Sequence, residues 1–130
     1  MRSKLAAGEK PLIWVGSSKR DLLEMPQAVV DDVGTALSAA QYGGKHPAAK
    51  PWKGLGPGVL EIVSNFRTDT FRAVYVVRLE HAIYVLHCFQ KKSPSGTRTA
   101  KKDIELIAKR LRVAQADHEV RYGQSQKSKQ

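Results

Sequence analysis

The residues that could act on a charged ligand lie on strand-like segments near the middle of the chain. Arg72 and Arg78 alternate with valines in the apolar segment 70–79, and Glu61 lies among β-branched residues in the preceding segment. A charged head on such a strand is costly to bury unless it is paired or opens into a cleft. Two interpretations therefore stay open: a cross-strand ion pair of Glu61 with Arg72 or Arg78, or a polar site on the sheet.

A second group of cations ends the next apolar segment, where Lys91 and Lys92 follow Phe89. Because adjacent strand residues point to opposite faces, only one of these lysines is expected to face a site shared with Arg72. The chemistry would be phosphate binding, since a guanidinium offers a permanent charge and a planar fork of donors. A lysine whose pKa is lowered by neighbouring cations can also transfer a proton.

The chain as a whole is strongly basic. It has 130 residues, with 22 Lys and Arg against 12 Asp and Glu, and a formal net charge of +10. Between Lys91 and Arg112, eight basic residues are opposed only by Asp103 and Glu105. This density favours a polyanionic partner, nucleic acid before a membrane surface, because no strongly apolar helix face accompanies it. A solvated basic surface without a specific ligand is the alternative.

Composition excludes several classes of protein. The single cysteine, Cys88, rules out an intramolecular disulfide and a Cys-rich zinc site, and its apolar surroundings predict a buried side chain. The four histidines lack the close spacing of a metal motif, so we assign no metal and no cofactor. No apolar run approaches the roughly 18 residues of a membrane span, and residues 1–10 hold no secretory signal. We therefore expect a cytoplasmic protein without a membrane partner.

Apolar, β-branched runs bounded by turn residues predict the strands. They lie at residues 12–15, 59–66, 70–79 and 82–89. Links of about two or three residues between the last three strands are too short for parallel crossovers, so these strands are predicted to form an antiparallel meander.

Three predicted helices complete an α+β domain of order β-α-α-β-β-β-α, in which helices pack on an antiparallel sheet. Ser18 is predicted to cap the first helix, Pro26 to open the second and Thr99 to cap the last. Residues 45–58, rich in Gly and Pro, are predicted to be a loop. The last helix has a predicted apolar stripe of Ile104, Ile107, Leu111 and Ala114. The polar ends divide the chain into a flexible leader (1–10), one domain (11–117) and a flexible basic tail (118–130).

An ordered set of short motifs resembles a known protein family over roughly residues 11–116. The motifs are Gly54-Leu-Gly56, Val59-Leu-Glu61-Ile, Phe71-Arg72-Ala-Val-Tyr75, Tyr84-Val-Leu-His87-Cys-Phe89-Gln-Lys91-Lys92, and Thr99 before a basic helix. Together they resemble the phage-derived, HigB-like branch of the RelE/HigB toxin superfamily. The resemblance implies a RelE-like fold and the toxin of a type II toxin–antitoxin system. Such a toxin is a metal-independent endoribonuclease that cleaves mRNA in the ribosomal A site, and its partner is a cognate antitoxin, commonly with a helix-turn-helix domain.

The resemblance and the chemistry of RNA cleavage together indicate candidate roles. Attack of a ribose 2′-OH on the neighbouring phosphorus needs a base, cations for the developing charge, and an acid for the leaving 5′-oxygen. Arg72 would hold the phosphate, and Lys91 or Lys92 would add charge or serve as the acid. Glu61 would be either the base or the residue that orients the guanidinium. Further candidates for RNA binding are Lys53, Arg67, Arg78, Phe89 and Arg98.

Other functions remain open at this stage. The alternative for Lys53 is a solvated loop lysine, and the alternative for Phe89 is a core position. Family members often carry an Arg shortly after the position of Glu61, where this chain has Ile62 and Val63 and therefore one fewer cation. The alternative functions are a non-catalytic basic module that binds RNA or DNA, and an inactive relative that binds only an antitoxin.

Overall fold

Five strands form one mixed sheet that carries helices on both faces. The computed structural model describes residues 5–91 and 99–123. Its elements in chain order are β1 (Leu12–Trp14), α1 (Ser18–Leu23), α2 (Gln27–Gln41), β2 (Ala49–Pro51), β3 (Val59–Phe66), β4 (Asp69–Val76), β5 (Ile83–Lys91), α3 (Lys101–His118) and a π-helical turn (Glu119–Gly123). The order of strands in the sheet is β1-β5-β4-β3-β2. The predicted α+β class, with helices packed on the sheet, is confirmed.

The predicted meander of three long strands forms the centre of the sheet. β3 and β4 pair antiparallel around a tight turn, with Phe66 opposite Asp69, and β4 pairs antiparallel with β5. Two strands of three residues flank this meander: β1 runs parallel to β5, and β2 runs antiparallel to β3. The prediction of a loop over 45–58 was wrong for Ala49–Pro51, because pairing with β3 extends a segment whose Gly and Pro neighbours indicate a turn.

The two faces of the sheet pack on different helices. One core cluster joins α2 to the sheet and includes Val29, Val33, Leu37, Ile62 and Tyr75. The other joins α3 to the opposite face and includes Val74, Val76, Tyr84, Ile107 and Leu111. Because successive residues of β4 alternate between these clusters, both of its faces are buried in their apolar parts. The strand face that carries Arg72 is therefore covered by α3 rather than open along its length.

Cys88 lies in the core on the side of α2, as its apolar neighbours indicate. Burial raises the pKa of its thiol to about 12, and the nearby Asp21 carboxylate acts in the same direction. The thiol is thus protonated at neutral pH, and the predicted packing role is confirmed.

Two predicted helix caps differ from the structure. Ser17 rather than Ser18 occupies the N-cap of α1, and the Ser18 hydroxyl is buried and donates to the Val85 carbonyl at 3.2 Å. Ala100 occupies the N-cap of α3, so Thr99 does not cap that helix. In both helices the residue predicted as the N-cap is the neighbour of the residue that occupies the N-cap in the structure.

Several element ends also differ from the prediction. β4 ends at Val76, which leaves Arg78 beyond the strand, and β5 continues to Lys91. Helical structure continues past His118 to Gly123, further than the sequence indicates. Ile104, expected in the buried stripe of α3, is 45% exposed. The division into leader, domain and tail stays a prediction.

A β-bulge in β5 decides which side chains reach the α3 face. Tyr75 pairs with Val85 and Val74 with His87, so Leu86 has no partner on β4. The extra residue reverses the alternation of faces: Val85 and Cys88, three positions apart, lie in the same core cluster. After the bulge, Phe89 lies opposite Arg72 on the α3 face, and Lys91 points to that side too.

Arg110 of α3 holds this bulge from outside the sheet. Its Nη1 donates to the Leu86 carbonyl at 2.9 Å, and its Nη2 donates to the Ser17 hydroxyl at 3.2 Å. The guanidinium also lies against Gly16, where a Cβ would sit 2.9 Å from Nη2. The Arg110 side chain therefore connects α3 to the N-cap of α1 and to the carbonyl of Leu86, the bulge residue of β5.

We predict that Arg110→Ala destabilises the fold. The substitution leaves the Leu86 carbonyl without its donor, which costs about 1–3 kcal/mol for a buried acceptor. The measurement is the free energy of unfolding in urea, with Arg112→Ala as the control, because Arg112 is an exposed arginine of the same helix. Equal stability of the two variants would contradict the role of Arg110.

Candidate functional site

Glu61 and Arg72 form an ion pair on the α3 face of the sheet. Arg72 Nη1 donates to Glu61 Oε1 at 2.6 Å, and the side chains are only 12% and 10% exposed, respectively. The contact is diagonal, because Glu61 lies opposite Val74 while Arg72 lies opposite Val63. Of the two cross-strand pairs that the sequence leaves open, the one with Arg72 forms.

The ion pair also borders a cleft, so the interpretation as a polar site on the sheet stays open as a prediction. The cleft has a volume of about 410 Å³ and is lined by Lys50, Pro51, Trp52, Lys53, Glu61, Arg72, Thr99 and Ile104. Arg72 Nε is buried and has no hydrogen-bond partner among the described residues. The Nε–H of Arg72 is therefore a hydrogen-bond donor that no described residue accepts.

Lys91 shares the electrostatic environment of the pair. Partial burial and the Arg72 guanidinium lower the pKa of Lys91 below its ordinary value, and Lys50 contributes in the same direction. Glu61 opposes the shift, because its carboxylate favours the ammonium form. The structure therefore brings Arg72, Lys91 and Glu61 together at one site.

Lys50 is a member of this site that the sequence did not single out. It is exposed, lies opposite Glu61 across the β2–β3 pair, and lines the cleft. The signal was hidden because residues 45–58 have a loop composition, and only the pairing of β2 places this lysine beside the carboxylate.

Two stacked rings lie on β5, on the same face of the sheet as Arg72. The rings of Phe89 and His87 are 4.6 Å apart and nearly parallel, and His87 Nε2 is 2.8 Å from Asp103 Oδ1 in the first turn of α3. Phe89 is buried, and it therefore occupies a core position, the alternative that the sequence left open for it. The link between His87 and Asp103 was not predicted, because both residues share a face only through the bulge and the docking of α3.

Of the other predicted RNA-binding residues that the structure describes, Lys53 lies at the same cleft as the ion pair, whereas Arg67 and Arg78 make contacts elsewhere. Lys53 lines the cleft, but Arg78 turns to the preceding loop and donates through Nη1 to the carbonyls of Leu55 and Pro57 at 2.9 and 2.8 Å. Arg67 lies in the β3–β4 turn with φ of +59°, its guanidinium 5.2 Å from the centre of the Phe66 ring.

Two further candidates, Lys92 and Arg98, lie outside the described residues. Their predicted roles, like those of Arg67 and Arg78, stay predictions.

The C-terminal end of α3 forms a separate polar cluster. His118 Nε2 accepts from the backbone N–H of His81 at 3.1 Å, and the Tyr84 hydroxyl donates to Asp117 Oδ2 at 2.7 Å. Burial and the neighbouring His81 lower the pKa of His118. Since α3 has 18 residues, this cluster lies about 27 Å along the helix from the end near the ion pair. His118 is therefore not part of the cleft.

Within residues 5–91 and 99–123, no group of three or more His, Cys, Asp or Glu side chains is arranged to hold a metal ion. No helix in the described part of the chain has the length and apolar character needed to cross a bilayer.

Comparison with protein families agrees with the resemblance seen in the motifs. The family model described as phage-derived protein Gp49-like (DUF891) matches residues 20–112, a range that contains the whole ion-pair site. The chain belongs to the Gp49-like family. This family is RelE-like and related to the toxins of toxin–antitoxin systems, which suggests an antitoxin partner. No curated protein matches the chain.

We predict opposite shifts in the pKa of Lys91 when its two charged neighbours are removed. Glu61→Gln removes the charge that favours the ammonium, so the pKa falls further, whereas Lys50→Met removes a like charge, so the pKa rises. The measurement is an NMR titration of the lysine side chains, with the Lys91 signal identified by its loss in Lys91→Met. An unshifted Lys91 in both variants would contradict the proximity of these groups.

Proposed function

We propose that this Gp49-like chain is a HigB-like toxin, an endoribonuclease that cleaves mRNA in the ribosomal A site and so inhibits translation. The observation that carries the proposal is that the Glu61–Arg72 pair lines a cleft in a toxin-related family, and that Lys91, on the same face of the sheet, interacts with both charges. An isolated ion pair within a core needs neither a cleft nor a lysine with a lowered pKa. A phosphodiester cleavage site needs an open cleft, and a lysine with a lowered pKa can serve it as a proton donor.

Arg72 holds the scissile phosphate in this proposal. Its guanidinium is fixed in orientation by Glu61, which spares the reaction the cost of ordering a long side chain. Negative charge builds on the phosphoryl oxygens as the 2′-oxygen bonds to phosphorus, and a pre-oriented cation stabilises that charge. Lys50 and Lys53 at the cleft supply further attraction for the strand.

Lys91 serves as the general acid. The bond from phosphorus to the 5′-oxygen breaks as the bond to the 2′-oxygen forms, and the leaving oxygen takes a proton from the ammonium. A lowered pKa brings Lys91 closer to the operating pH and eases that transfer. Of the residues that the structure describes, Glu61 is the only carboxylate that lines the cleft. It accepts the 2′-hydroxyl proton, or it only orients Arg72 and a water molecule takes that proton.

The charge of the site accounts for dependence on the ribosome. A cleft dominated by cations binds a phosphate well, but it offers few groups that align a 2′-hydroxyl with the phosphorus. Messenger RNA held in the A site supplies that alignment. The proposed partner that silences the toxin is a helix-turn-helix antitoxin, whose acidic segment would suit a basic cleft. Lys92 and Arg98 are proposed to add to the basic surface.

We predict that Arg72→Ala strongly slows the cleavage of translated mRNA. Removal of one pre-oriented donor for a developing charge lowers such rates about 100-fold. The measurement is primer extension on mRNA in a reconstituted translation reaction, together with growth after expression of the chain. Arg112→Ala is the matched control, and Arg72→Lys keeps the charge beside Glu61 while it removes the planar fork. Thermal unfolding of each variant separates a loss of activity from a folding defect.

The outcome separates the candidate functions. If the wild-type chain never cleaves translated mRNA and Arg72→Ala only weakens RNA binding, the chain is a binding module. If expression of the wild-type chain is harmless and RNA does not bind, the chain is an inactive relative. Comparable cleavage of free and ribosome-bound RNA would overturn the ribosome dependence.

A further inference from the structure

We infer that the cleft beside Glu61 and Arg72 also binds one nucleobase of the RNA strand, and that Ile104 contacts this base. The inference rests on the proposed function. It adds that the site contacts a base of the RNA as well as its phosphate. The first observation is that an isoleucine of α3 is exposed although its position in the sequence predicts a core residue. Ile104 continues the apolar stripe of α3 in sequence, yet it is 45% exposed, whereas Ile107, Leu111 and Ala114 are buried.

The exposed side chain lies where a ligand would meet it. Ile104 sits in the first turn of α3 and lines the cleft together with Pro51 and Trp52. Trp52 is held in place, because it is largely buried and its backbone N–H donates to the Val59 carbonyl at 2.8 Å. The same cleft is thus lined by apolar side chains from α3 and from the end of β2 and by the charged side chains of the ion pair.

This combination fits a nucleotide better than an isolated anion. A phosphate or a carboxylate alone would satisfy Arg72 and the cleft lysines but would gain nothing from Ile104 and Trp52. A nucleobase attached to the bound phosphate has polar edges and an apolar face, which matches such walls. The volume of about 410 Å³ lies in the range of roughly 300–1,000 Å³ typical of sites for small ligands.

The positive charge around the cleft indicates that the base belongs to a polyanionic strand. Lys50 and Lys53 are exposed at the same cleft, and Lys91 adds a cation beside Arg72. A strand with a phosphate at each step neutralises these cations as it crosses the cleft. An acidic peptide would neutralise them as well, but it has no flat apolar group at a fixed distance from each charge. We therefore assign the cleft to RNA and treat the peptide as an outcome of the test.

The experiment measures binding without cleavage. The probe is a trinucleotide of 2′-O-methyl RNA, in which the blocked 2′-oxygen cannot attack, with three further versions that each lack one base. Fluorescence anisotropy gives the affinity of each version for the wild-type chain, Ile104→Ala and Val113→Ala. Val113 is the matched control because it is a β-branched residue of the same helix, 48% exposed, that does not line this cleft.

The expected result is a loss that depends on one base. Ile104→Ala binds the complete trinucleotide about fivefold more weakly, at the low end of the contribution of a base contact, and binds one base-lacking version as tightly as the wild type does. Val113→Ala leaves all affinities unchanged, and Arg72→Ala weakens every version. Because Ile104 is half-exposed, its truncation leaves the fold intact, which thermal unfolding of the variants checks.

Three results would overturn the inference: equal losses for all versions, no loss for any version, or an equal dependence on Ile104 when an acidic peptide of the same charge is the probe. Failure of the proposed function looks different. In that case the base-dependent pattern appears, but translated mRNA stays intact in the wild-type reaction.

Discussion

The contact between Arg72 and Glu61 is the constraint on which the site depends. An arginine on a strand face that α3 covers would leave a desolvated charge, and the carboxylate one strand away makes that position tolerable. The same contact orients the guanidinium toward the cleft, so one interaction serves both the sheet and the site. Removal of either partner therefore changes the packing of β3 against β4 as well as the electrostatics around Lys91.

The bulge at Leu86 determines which side chains of β5 lie on the same face of the sheet as the Glu61–Arg72 pair. Without the extra residue, Phe89 and Lys91 would point toward α2, and the cation would lie on the wrong face of the sheet. Arg110 compensates for the missing ladder bond by donating to the Leu86 carbonyl. The placement of Lys91 at the end of β5 thus relies on Arg110, a helix residue that lies outside the candidate site.

Local patterns predicted most of the fold, because strand and helix periodicities are properties of short segments. The long strands, the meander and the Glu61–Arg72 alternative followed from alternation and short links. What escaped prediction depends on contacts between distant segments. Pairing with β3 makes Lys50 a neighbour of Glu61, the bulge moves Lys91 to the α3 face, and the packing of α3 on the sheet leaves Ile104 partly exposed.

The buried thiol of Cys88 makes the opening of this core observable. Its sulfur is enclosed between the sheet and the helices, and its raised pKa keeps it in the unreactive protonated form. An alkylating reagent modifies it when the structure around Cys88 opens, locally or globally. Since the chain has one cysteine, the rate of that single modification reports this opening directly, under native conditions and without denaturant.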